Sequence, residues 1–418
     1  MIEKNIHKNI INRKICICNS KLKEEINFGK LPLINEYTAK KNLKKYPVII
    51  SQCKNCLLIQ LKYSIPDKML FSSNYSYLSG NSKEKIKNFL SIRDKITKFS
   101  KKNNPKILDI GSNDGSFLKL VKKRYRNILG VEPTNTAKIS IKLGINTIKK
   151  PLSFKLAKKI FKKYSKFDFI VATNFFAQTN NLIEILKSTK LLLDKDGLLI
   201  VEVQYLYDLL AQRGFDSFHH EHIAYYTASS ITKILKKHGL FVFDGEKLKV
   251  HGGMLRVYAS LSKKPITKRL KKILKKENDK NIVKKIKKLN FFRIRFSNKL
   301  KKLLINLKKQ KNIIYGIGAA PRTCVMLNSS NLTRSEVNLV GELPQSLKCN
   351  KYIPGTNIMV KNENKIITDK PDYVIILAWH LKKMIVNLLL KKGYRGNFII
   401  PLPSLKILES KNYYERRK

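Results

Sequence analysis

Three histidines and a glutamate occupy consecutive positions in "FDSFHHEHIAYYT", residues 215–227. They are His219, His220, Glu221 and His222, in a chain with 7 histidines in all. Imidazole titrates near neutral pH, so such a cluster could bind a metal ion or move protons. A metal cluster is disfavoured, because adjacent side chains on extended backbone point to opposite faces. A proton-transfer site and a polar loop without a chemical role both stay open.

A second stretch suited to chemistry is "KILDIGSNDGSFLKL", in which a strand pattern precedes a glycine turn and a helix pattern. Gly111 and Gly115 permit a sharp turn, and the helix after it offers unpaired N–H groups. Glu132 ends the next strand pattern, where a carboxylate can bind both ribose hydroxyls of an adenosine ligand.

This turn favours a cationic ligand over a dinucleotide, because Asp109 would be badly placed against a pyrophosphate. S-adenosylmethionine carries a positive centre and no phosphate, and it is the cofactor that we expect. An ordinary strand–turn–helix connection is the alternative. The residues expected to bind the cofactor are Asp109, Gly111, Ser112, Asn113, Gly115, Glu132 and Asn174.

Four of the 6 cysteines lie near the amino terminus as two close pairs. Cys53 and Cys56 have the spacing of a zinc knuckle, and Cys16 and Cys18 would complete a tetrahedral thiolate site for a structural Zn²⁺. A small domain held together by its core alone is the alternative. Free thiols at metal-like spacing favour a reducing cytoplasm.

The composition indicates a globular protein with an unusual charge. A length of 418 residues allows two or three domains, and 43% hydrophobic residues are ordinary for a folded chain. A net charge of +57 would suit a nucleic-acid or anionic-membrane binder. The lysines are spread over every segment and lack the interleaved aromatic residues of RNA-binding surfaces. We therefore expect the composition of an AT-rich genome and no nucleic-acid partner.

The order of patterns along the chain predicts an α/β protein of several domains. In two separate segments of the chain, apolar runs of strand length alternate with amphipathic stretches. This pattern is typical of parallel sheets with crossover helices. Neither a signal peptide nor a membrane span is expected, since the apolar runs are too short. We expect a zinc-binding domain at 1–80, a cofactor-binding domain at 81–262, a helical connector at 263–310 and a Rossmann-like domain at 311–418.

Five motifs together resemble the three-domain sugar C-methyltransferases. These are "LDIGSNDGSFL", "GVEP", "FDSFHHEHIAYYT", "HGGMLRVYA" and "PGTNI…KPDYVIILAW", in the family's order over nearly the whole chain. The resemblance implies an amino-terminal zinc-binding domain, a central class I methyltransferase domain and a carboxyl-terminal Rossmann-like domain. It also implies an S-adenosylmethionine-dependent transfer to the carbon beside the ketone of a nucleotide-linked keto-deoxysugar.

The resemblance also implies roles for the residues of the histidine cluster. Such a transfer needs a general base, a donor to the enolate oxygen and close alignment of the reacting atoms. The Glu and last His of the family's Y-H-E-H motif correspond to Glu221 and His222. His222 is the expected base, and Glu221 is expected to orient it or to bind the sugar.

Two positions depart from the family pattern. His219 stands where the family has tyrosine, and Gln178 stands where it has an active-site histidine. Gln178 cannot shuttle protons but can still donate a hydrogen bond to an enolate, and His219 could restore the lost function. Tyr77 is the better match to the family's amino-terminal active-site tyrosine, with Tyr75 as the alternative. Both tyrosines could instead pack a seam between domains.

The carboxyl-terminal segment contains a second strand–glycine turn–helix pattern, "IYGIGAAPRT". In the family this domain helps to enclose the substrate nucleotide, which makes Arg322 and the loop 351–355 candidate phosphate contacts. Trp379 and His380 are expected to be structural.

Three rivals to sugar methylation stay open. The same scaffold could carry out altered methyl-transfer chemistry, because both substituted positions lie at the expected reaction centre. An RNA-binding or RNA-modifying protein is suggested by the charge. An inactive scaffold subunit is the third. The identity of the sugar and the oligomeric state do not follow from the sequence.

Overall fold

The computed structural model describes most of the chain, in two compact units. The described residues are 10–40, 43–71, 75, 77–81, 83–250, 252–277 and 279–410. The first unit comprises residues 1–25, 50–208 and 221–283, and the second comprises residues 26–49, 209–220 and 284–418. His251, which begins one of the five motifs, lies outside the described residues. The division into four segments stays a prediction.

Strands and helices alternate through both units. The strands, in chain order, are β1 (Ile11–Asn12), β2 (Leu22–Leu31), β3 (Tyr46–Cys53), β4 (Ile59–Leu61), β5 (Tyr63–Ser64), β6 (Ile107–Ile110), β7 (Ile128–Val131), β8 (Thr147–Ile148), β9 (Phe167–Thr173), β10 (Leu193–Gln204), β11 (Ala224–Tyr225), β12 (Phe241–Leu248), β13 (Met254–Ser260), β14 (Ile314–Ile317), β15 (Leu339–Glu342), β16 (Met359–Asn362), β17 (Tyr373–Ile376), β18 (Asn397–Ile400) and β19 (Lys406–Leu408). The α-helices are α1 (Asp67–Leu70), α2 (Lys83–Phe99), α3 (Ser116–Lys122), α4 (Ala137–Lys142), α5 (Phe154–Tyr164), α6 (Leu182–Leu192), α7 (Leu206–Ala211), α8 (Ala228–Lys237), α9 (Lys268–Lys276), α10 (Ile282–Lys309), α11 (Pro321–Ser329), α12 (Lys365–Asp369) and α13 (Lys382–Lys391).

The first unit is built around a seven-stranded sheet of order β12-β13-β10-β9-β6-β7-β8. Strands β10, β9, β6, β7 and β8 pair in parallel, and β13 pairs antiparallel with β10 and β12. The strand order reverses between β6 and β9, and ligands of such sheets bind at this switch point, outside the carboxyl ends of the strands. The glycine turn follows β6 directly and therefore lies at this point.

Both faces of this sheet are buried. Leu199 and Val201 of β10 lie in one apolar cluster, and the alternate residues Leu198 and Ile200 lie in another. Side chains of a strand alternate between the two faces, so a strand covered on both sides needs a continuous apolar run. This requirement explains the pattern "LLIVEV". The predicted α/β class and Rossmann-like central domain are confirmed.

A small antiparallel sheet joins the amino-terminal strands to the segment after the histidine cluster. In the first unit β3 pairs with β4, and β4 pairs with β11. Helix α8 begins just beyond β11 with a capping box, in which Thr227 and Ser230 each donate a backbone N–H to the other's hydroxyl at 3.0 Å. The backbone that follows the cluster is thus fixed from two sides.

The second unit contains a six-stranded sheet of order β16-β15-β14-β17-β18-β19. All neighbours are parallel except β18 and β19, so this unit is also Rossmann-like, as predicted. The basic stretch 263–310 contains the helices α9 and α10. Within the described part of the chain, no helix combines the length and apolar character needed to cross a membrane.

Candidate active site

The glycine turn after β6 follows a path that side chains larger than hydrogen would block. Gly111 has φ +75° and Gly115 has φ +77°, in the left-handed region that favours glycine. A Cβ at Gly111 would lie 2.8 Å from Cδ2 of Phe175, and a Cβ at Gly115 would collide with Oγ of Ser140. The turn therefore depends on both glycines.

Glu132 follows β7, and the backbone holds its carboxylate in place. Its Oε2 accepts a hydrogen bond from the N–H of Asn113 at 3.0 Å, and its Oε1 accepts one from the N–H of Thr134 at 2.8 Å. Each carboxylate oxygen can accept a further hydrogen bond. Glu132 can therefore still accept bonds from two hydroxyls of a ligand, as the sequence predicts.

Asp109 is 3% exposed and places a buried carboxyl group in the site. Among the described residues, its Oδ1 and the Oγ of Ser112 have no hydrogen-bond partner. Burial raises the pKa of Asp109 well above its usual range, and the charge of Glu132 raises it further, whereas Lys85 lowers it. Buried polar groups without partners are costly. A cationic ligand with N–H donors would offset this cost, so these residues fit S-adenosylmethionine.

Gly111→Ala should weaken binding of S-adenosylmethionine by at least about tenfold. A Cβ in the left-handed region costs about 1–2 kcal/mol, and here it would also displace Phe175 or the turn. Titration calorimetry with S-adenosylmethionine measures the change. The matched control is Gly393→Ala, because Gly393 has φ +92° and open space around its Cβ position. Equal donor affinities for the two variants would contradict the assignment of the turn.

Asn113 ties the loop that carries Tyr77 to the glycine turn. Its Nδ2 donates to the carbonyl oxygen of Tyr77 at 3.1 Å, and its Oδ1 accepts from the N–H of Ser79 at 2.9 Å. The N–H of Gly80 donates to Oδ2 of Asp114 at 2.8 Å. Asn113 was predicted to bind the cofactor, and its side chain also holds Tyr77 beside the turn.

Tyr75 lies in the electrostatic field of two separate parts of this site. Burial raises the pKa of Tyr75 well above its usual range, and the charges of Glu221 and, more weakly, Glu132 raise it further. Glu221 is itself 5% exposed. Charges act strongly on one another only at short range. The charges of Glu221 and Glu132 therefore both act on Tyr75, although the three residues are far apart in the sequence.

A backbone contact joins the segments of Gln178 and His222. The N–H of Ile223 donates to the carbonyl oxygen of Ala177 at 2.7 Å, and Gln178 and His222 are the chain neighbours of these two residues. Both predicted site residues are half-buried. The ring of His222 packs edge-on against Tyr225, with ring centroids 6.2 Å apart. The turn after β9 and the end of the histidine cluster therefore belong to one site.

The boundary between the two units falls between His220 and Glu221 and so divides the cluster. His220 is 1% exposed, and its Nε2 lies 3.3 Å from the carbonyl oxygen of Pro47. Burial lowers the pKa of His220 to about 4, so its imidazole is neutral near pH 7. His219 is also buried, in the second unit.

The four amino-terminal cysteines converge on one point. They are buried, and their Sγ atoms all lie within 4.8 Å of one another. The Sγ atoms of Cys18 and Cys53 are 3.4 Å apart, and those of Cys16 and Cys56 are 3.6 Å apart. Sulfur atoms around a tetrahedral zinc ion are about 3.8 Å apart when Zn–S is roughly 2.3 Å. The cluster therefore has the size of a zinc site, and the short Cys16–Cys18 spacing does not keep Cys16 from it.

The ionisation of these thiols also favours a bound cation. A hydrogen bond from Cys16 lowers the pKa of Cys56 to about 6, whereas burial raises the pKa of Cys53 to about 11. Crowded thiolates repel one another, so the four cannot all ionise without a compensating charge. A divalent metal ion supplies that charge. Among the described residues, such a group of metal-binding side chains occurs only at these cysteines and not at 219–222.

Cys53→Ser should remove bound zinc from the purified protein and lower its melting temperature, because a structural zinc ion contributes directly to folding. Elemental analysis should give roughly one zinc ion per wild-type chain, as expected for one four-thiolate site. Cys349→Ser is the matched control, since Cys349 is half-buried and outside the cluster. Unchanged zinc content in Cys53→Ser would show that the cluster is not the metal site.

A buried ion pair was not predicted from the sequence. Nε of Arg256, which is 0% exposed, donates to Oε1 of Glu202 at 2.6 Å. The side chain of Asn88 donates to Glu202 at 2.7 Å and accepts from Arg256 at 2.9 Å. The carbonyl oxygen of Glu202 accepts from the N–H of Asn174, a predicted cofactor-binding residue with φ +60°. In the sequence, this pair is indicated only by one charged residue inside each of two apolar runs: Glu202 in "LLIVEV" and Arg256 in "MLRVYA".

In the second unit, Arg322 lies against an aromatic ring. Its guanidinium is 5.7 Å from the ring centroid of Trp379. Nε1 of Trp379 donates to Oδ2 of Asp216 at 2.6 Å, and His380 packs edge-on against the indole. These contacts are those of a packed structural cluster, in keeping with the roles expected for Trp379 and His380.

The glycine turn of the second unit faces a carboxylate. Oε2 of Glu342 accepts the N–H of Ala319 at 2.8 Å. A carboxylate at that position is unfavourable for a phosphate. The loop 351–355 is held by the N–H of Tyr352, which donates to the carbonyl oxygen of Thr38 at 2.9 Å. The phosphate contacts at Arg322 and in this loop stay predictions.

Two family models match the chain in consecutive segments. The model described as "Methyltransferase domain" matches residues 84–243. The model described as "C-methyltransferase C-terminal domain" matches residues 249–403. The first match includes the glycine turn, Glu132 and the histidine cluster.

A curated relative matches nearly the full length of the chain. The C-methyltransferase NovU of Streptomyces niveus is 24% identical over 400 residues, which are 93% of this chain and 94% of that protein. The chain and this relative therefore correspond over nearly their full lengths.

Two solved structures are similar to part of the chain. The magnesium protoporphyrin IX methyltransferase (ChlM) from Synechocystis PCC 6803 with bound SAH has a TM-score of 0.34 and 13% identity, covering 43% of this chain and 84% of that chain. The PH0226 protein from Pyrococcus horikoshii OT3 has a TM-score of 0.36 and 16% identity, covering 44% of this chain and 94% of that chain. Neither likeness extends over half of this chain.

The two domain matches and the near full-length relative agree with the five motifs that run through the chain. The acid-lined glycine turn at the switch point has residues that fit S-adenosylmethionine. The chain is thus an S-adenosylmethionine-dependent C-methyltransferase with a methyltransferase domain and a C-methyltransferase C-terminal domain.

Proposed function

We propose that this enzyme methylates the carbon beside the ketone of a nucleotide-linked keto-deoxysugar. Two contacts support the proposal: Nδ2 of Asn113 donates to the carbonyl oxygen of Tyr77 at 3.1 Å, and the N–H of Ile223 donates to that of Ala177 at 2.7 Å. Asn113 belongs to the glycine turn and Ala177 follows β9, whereas Tyr77 and the neighbour of Ile223, His222, belong to the segments that the family resemblance assigns to the sugar. A sugar carbon held by these segments would lie next to the cofactor.

In this proposal the cofactor site consists of the turn after β6 and the ends of β7 and β9. S-adenosylmethionine, when bound, supplies an electrophilic methyl group on a positively charged sulfur. Asp109 compensates positive charge, and Glu132 accepts the ribose hydroxyls. The cofactor-binding residues are Asp109, Gly111, Ser112, Asn113, Gly115, Glu132 and Asn174.

His222 acts as the general base. Its imidazole accepts the proton from the sugar carbon, and the electron pair of that C–H bond passes to the ketone as an enolate. Tyr77 and Gln178 donate hydrogen bonds to the enolate oxygen, where negative charge develops. Glu221 orients His222 or binds the sugar hydroxyls, and His219 takes the place of the family's tyrosine. S-adenosylmethionine held by the turn after β6 would supply the methyl group to this carbon, with its S–CH3 bond breaking and the sulfur leaving as a neutral thioether.

The zinc site is structural in this proposal. Four cysteine ligands leave no open coordination position for a substrate or water. Cys16, Cys18, Cys53 and Cys56 hold the ion and connect the amino-terminal loops to the apolar cluster on one face of the central sheet. Reduced thiols of this kind suit a cytoplasmic enzyme.

The direct test is mass spectrometry of the products formed from a panel of nucleotide-linked 4-keto-deoxysugars. We expect one sugar to gain the mass of one methylene group, without added nucleic acid. In deuterated water, the reacting position should exchange its hydrogen in an enzyme-dependent way. Binding of S-adenosylmethionine without methylation of any sugar would contradict the proposal and favour an inactive scaffold. A requirement for RNA would favour the rival function.

A further inference from the structure

Lys85 is a buried lysine on the apolar face of α2. It is 4% exposed and shares this face with Phe89 and Ile92, which follow it by one and two helical turns. Burying an ammonium group is costly unless other groups compensate its charge. The position therefore requires an explanation beyond helix packing.

The groups around Lys85 belong to the proposed active site. Its Nζ lies 3.1 Å from the phenol oxygen of Tyr77 and 5.0 Å from the centroid of the same ring. Phe89 presents a second ring, with its centroid 5.8 Å from the ammonium. The charge of Lys85 also acts on Asp109, the buried acid of the cofactor site. One ammonium group thus connects a tyrosine of the reaction centre with the cofactor-binding turn.

The chemistry of the two groups fixes the direction of their hydrogen bond. An ammonium has three donors and no acceptor, so the phenol oxygen of Tyr77 must accept. The O–H hydrogen of Tyr77 is then left to donate to another group. The carbonyl of Tyr77 is bound by Asn113 at 3.1 Å, so both ends of this residue are held.

We propose that Lys85 is a positioning residue that holds the phenol of Tyr77 as a hydrogen-bond donor toward the substrate. The inference rests on the proposed sugar methylation. Lys85 acts through Tyr77. Its ammonium donates a hydrogen bond to the phenol oxygen, and the phenol O–H then donates to the oxygen of the developing enolate. An arginine at position 85 could keep this function, whereas a methionine would keep only the volume of the side chain.

The contact itself is tested without any sugar. The protein is labelled with 3-fluorotyrosine, and the ¹⁹F resonance of Tyr77 is assigned by its absence from Tyr77→Phe. We expect Lys85→Met to shift this resonance and Lys85→Arg to leave it near its wild-type position. The matched control is Lys83→Met, since Lys83 is exposed at the start of the same helix. An unshifted resonance in Lys85→Met would overturn the proposal.

The role in methyl transfer is tested by kinetics on the sugar found in the product assay. Lys85→Met should lower kcat by about ten- to a hundredfold with little change in KM, because an enolate donor contributes mainly in the transition state. The double variant with Tyr77→Phe should be no slower than the slower single variant, and Lys85→Arg should recover most of the loss. Circular dichroism shows that each variant is folded. Losses that multiply in the double variant would refute the positioning role.

If no sugar is methylated at all, the proposed function fails, and the fluorine resonance still decides whether Lys85 holds Tyr77.

Discussion

His222→Ala should abolish methyl transfer while leaving the binding of S-adenosylmethionine intact. A positioned general base contributes about 10²–10⁴-fold to a rate, and alanine removes the only group at this position that can accept a proton. The residues that we propose to bind the cofactor lie on the turn after β6 and at the ends of β7 and β9, so their geometry should not depend on this side chain. Labelled donor measures the turnover, and calorimetry measures donor affinity.

The matched control for this variant is His238→Ala. His238 is also a histidine of the first unit, but it lies at the carboxyl-terminal cap of α8, away from the cofactor-binding strand ends. It should keep wild-type turnover. Full activity of His222→Ala would mean that another group removes the proton, and equal losses in both histidine variants would point to a general effect on folding.

Arg256→Met should produce the largest loss of stability among single substitutions in the first unit. The variant would leave Glu202, which is 1% exposed, as a buried negative charge without its partner. Breaking such a pair from one side costs about 3–5 kcal/mol. Because the pair supports the strand end that precedes Asn174, donor affinity should fall as well.

Scanning calorimetry of the full chain measures the free energy of unfolding in this series. Lys102→Met breaks an ion pair with Asp168 in which the lysine side chain is 63% exposed, and it should cost less than about 1 kcal/mol. A double variant, Arg256→Met with Glu202→Gln, should regain part of the loss because no charge is then left buried. A single variant, Arg256→Met, as stable as the wild type would show that the buried pair contributes nothing to the fold.

The strands of both sheets could be predicted because their apolar runs end at glycine, acidic or asparagine residues. "PKILDIG" and "FDFIVATN" each contain a strand, β6 and β9, that is covered on both faces. The two antiparallel strands at one side of the larger sheet, β12 at its edge and β13 next to it, were not assigned positions in the sheet. Strand order depends on pairing between distant segments, and the local pattern carries no information about partners.

The cofactor site was predictable to the extent that it is local. Asp109, Gly111 and Gly115 lie within one turn, and their spacing alone indicates a ligand-binding bend. The clamp from Asn113 to the Tyr77 loop is a contact between distant segments, so no spacing rule reveals it. Lys85 could not be recognised in a chain with 86 lysines and arginines, because its burial is a property of the folded state.

The histidine cluster also shows that burial cannot be read from the sequence. His220 and His222 are of one residue type and two positions apart, so sequence reasoning assigns them similar chemistry. The fold buries His220 against Pro47 and leaves His222 half-buried next to Gln178's segment. Burial disfavours the charged form of imidazole, and this effect separates a structural histidine from a candidate base.

The central claim is that the acid-lined turn binds the cofactor beside the end of the histidine cluster. A crystal structure of the enzyme with S-adenosylhomocysteine tests it most directly. We predict both ribose hydroxyls on Glu132, the amino group close to Asp109, and the imidazole of His222 on the side of the ligand where the sulfur lies. A ligand bound away from this turn, or a sulfur atom far from His222, would contradict the account.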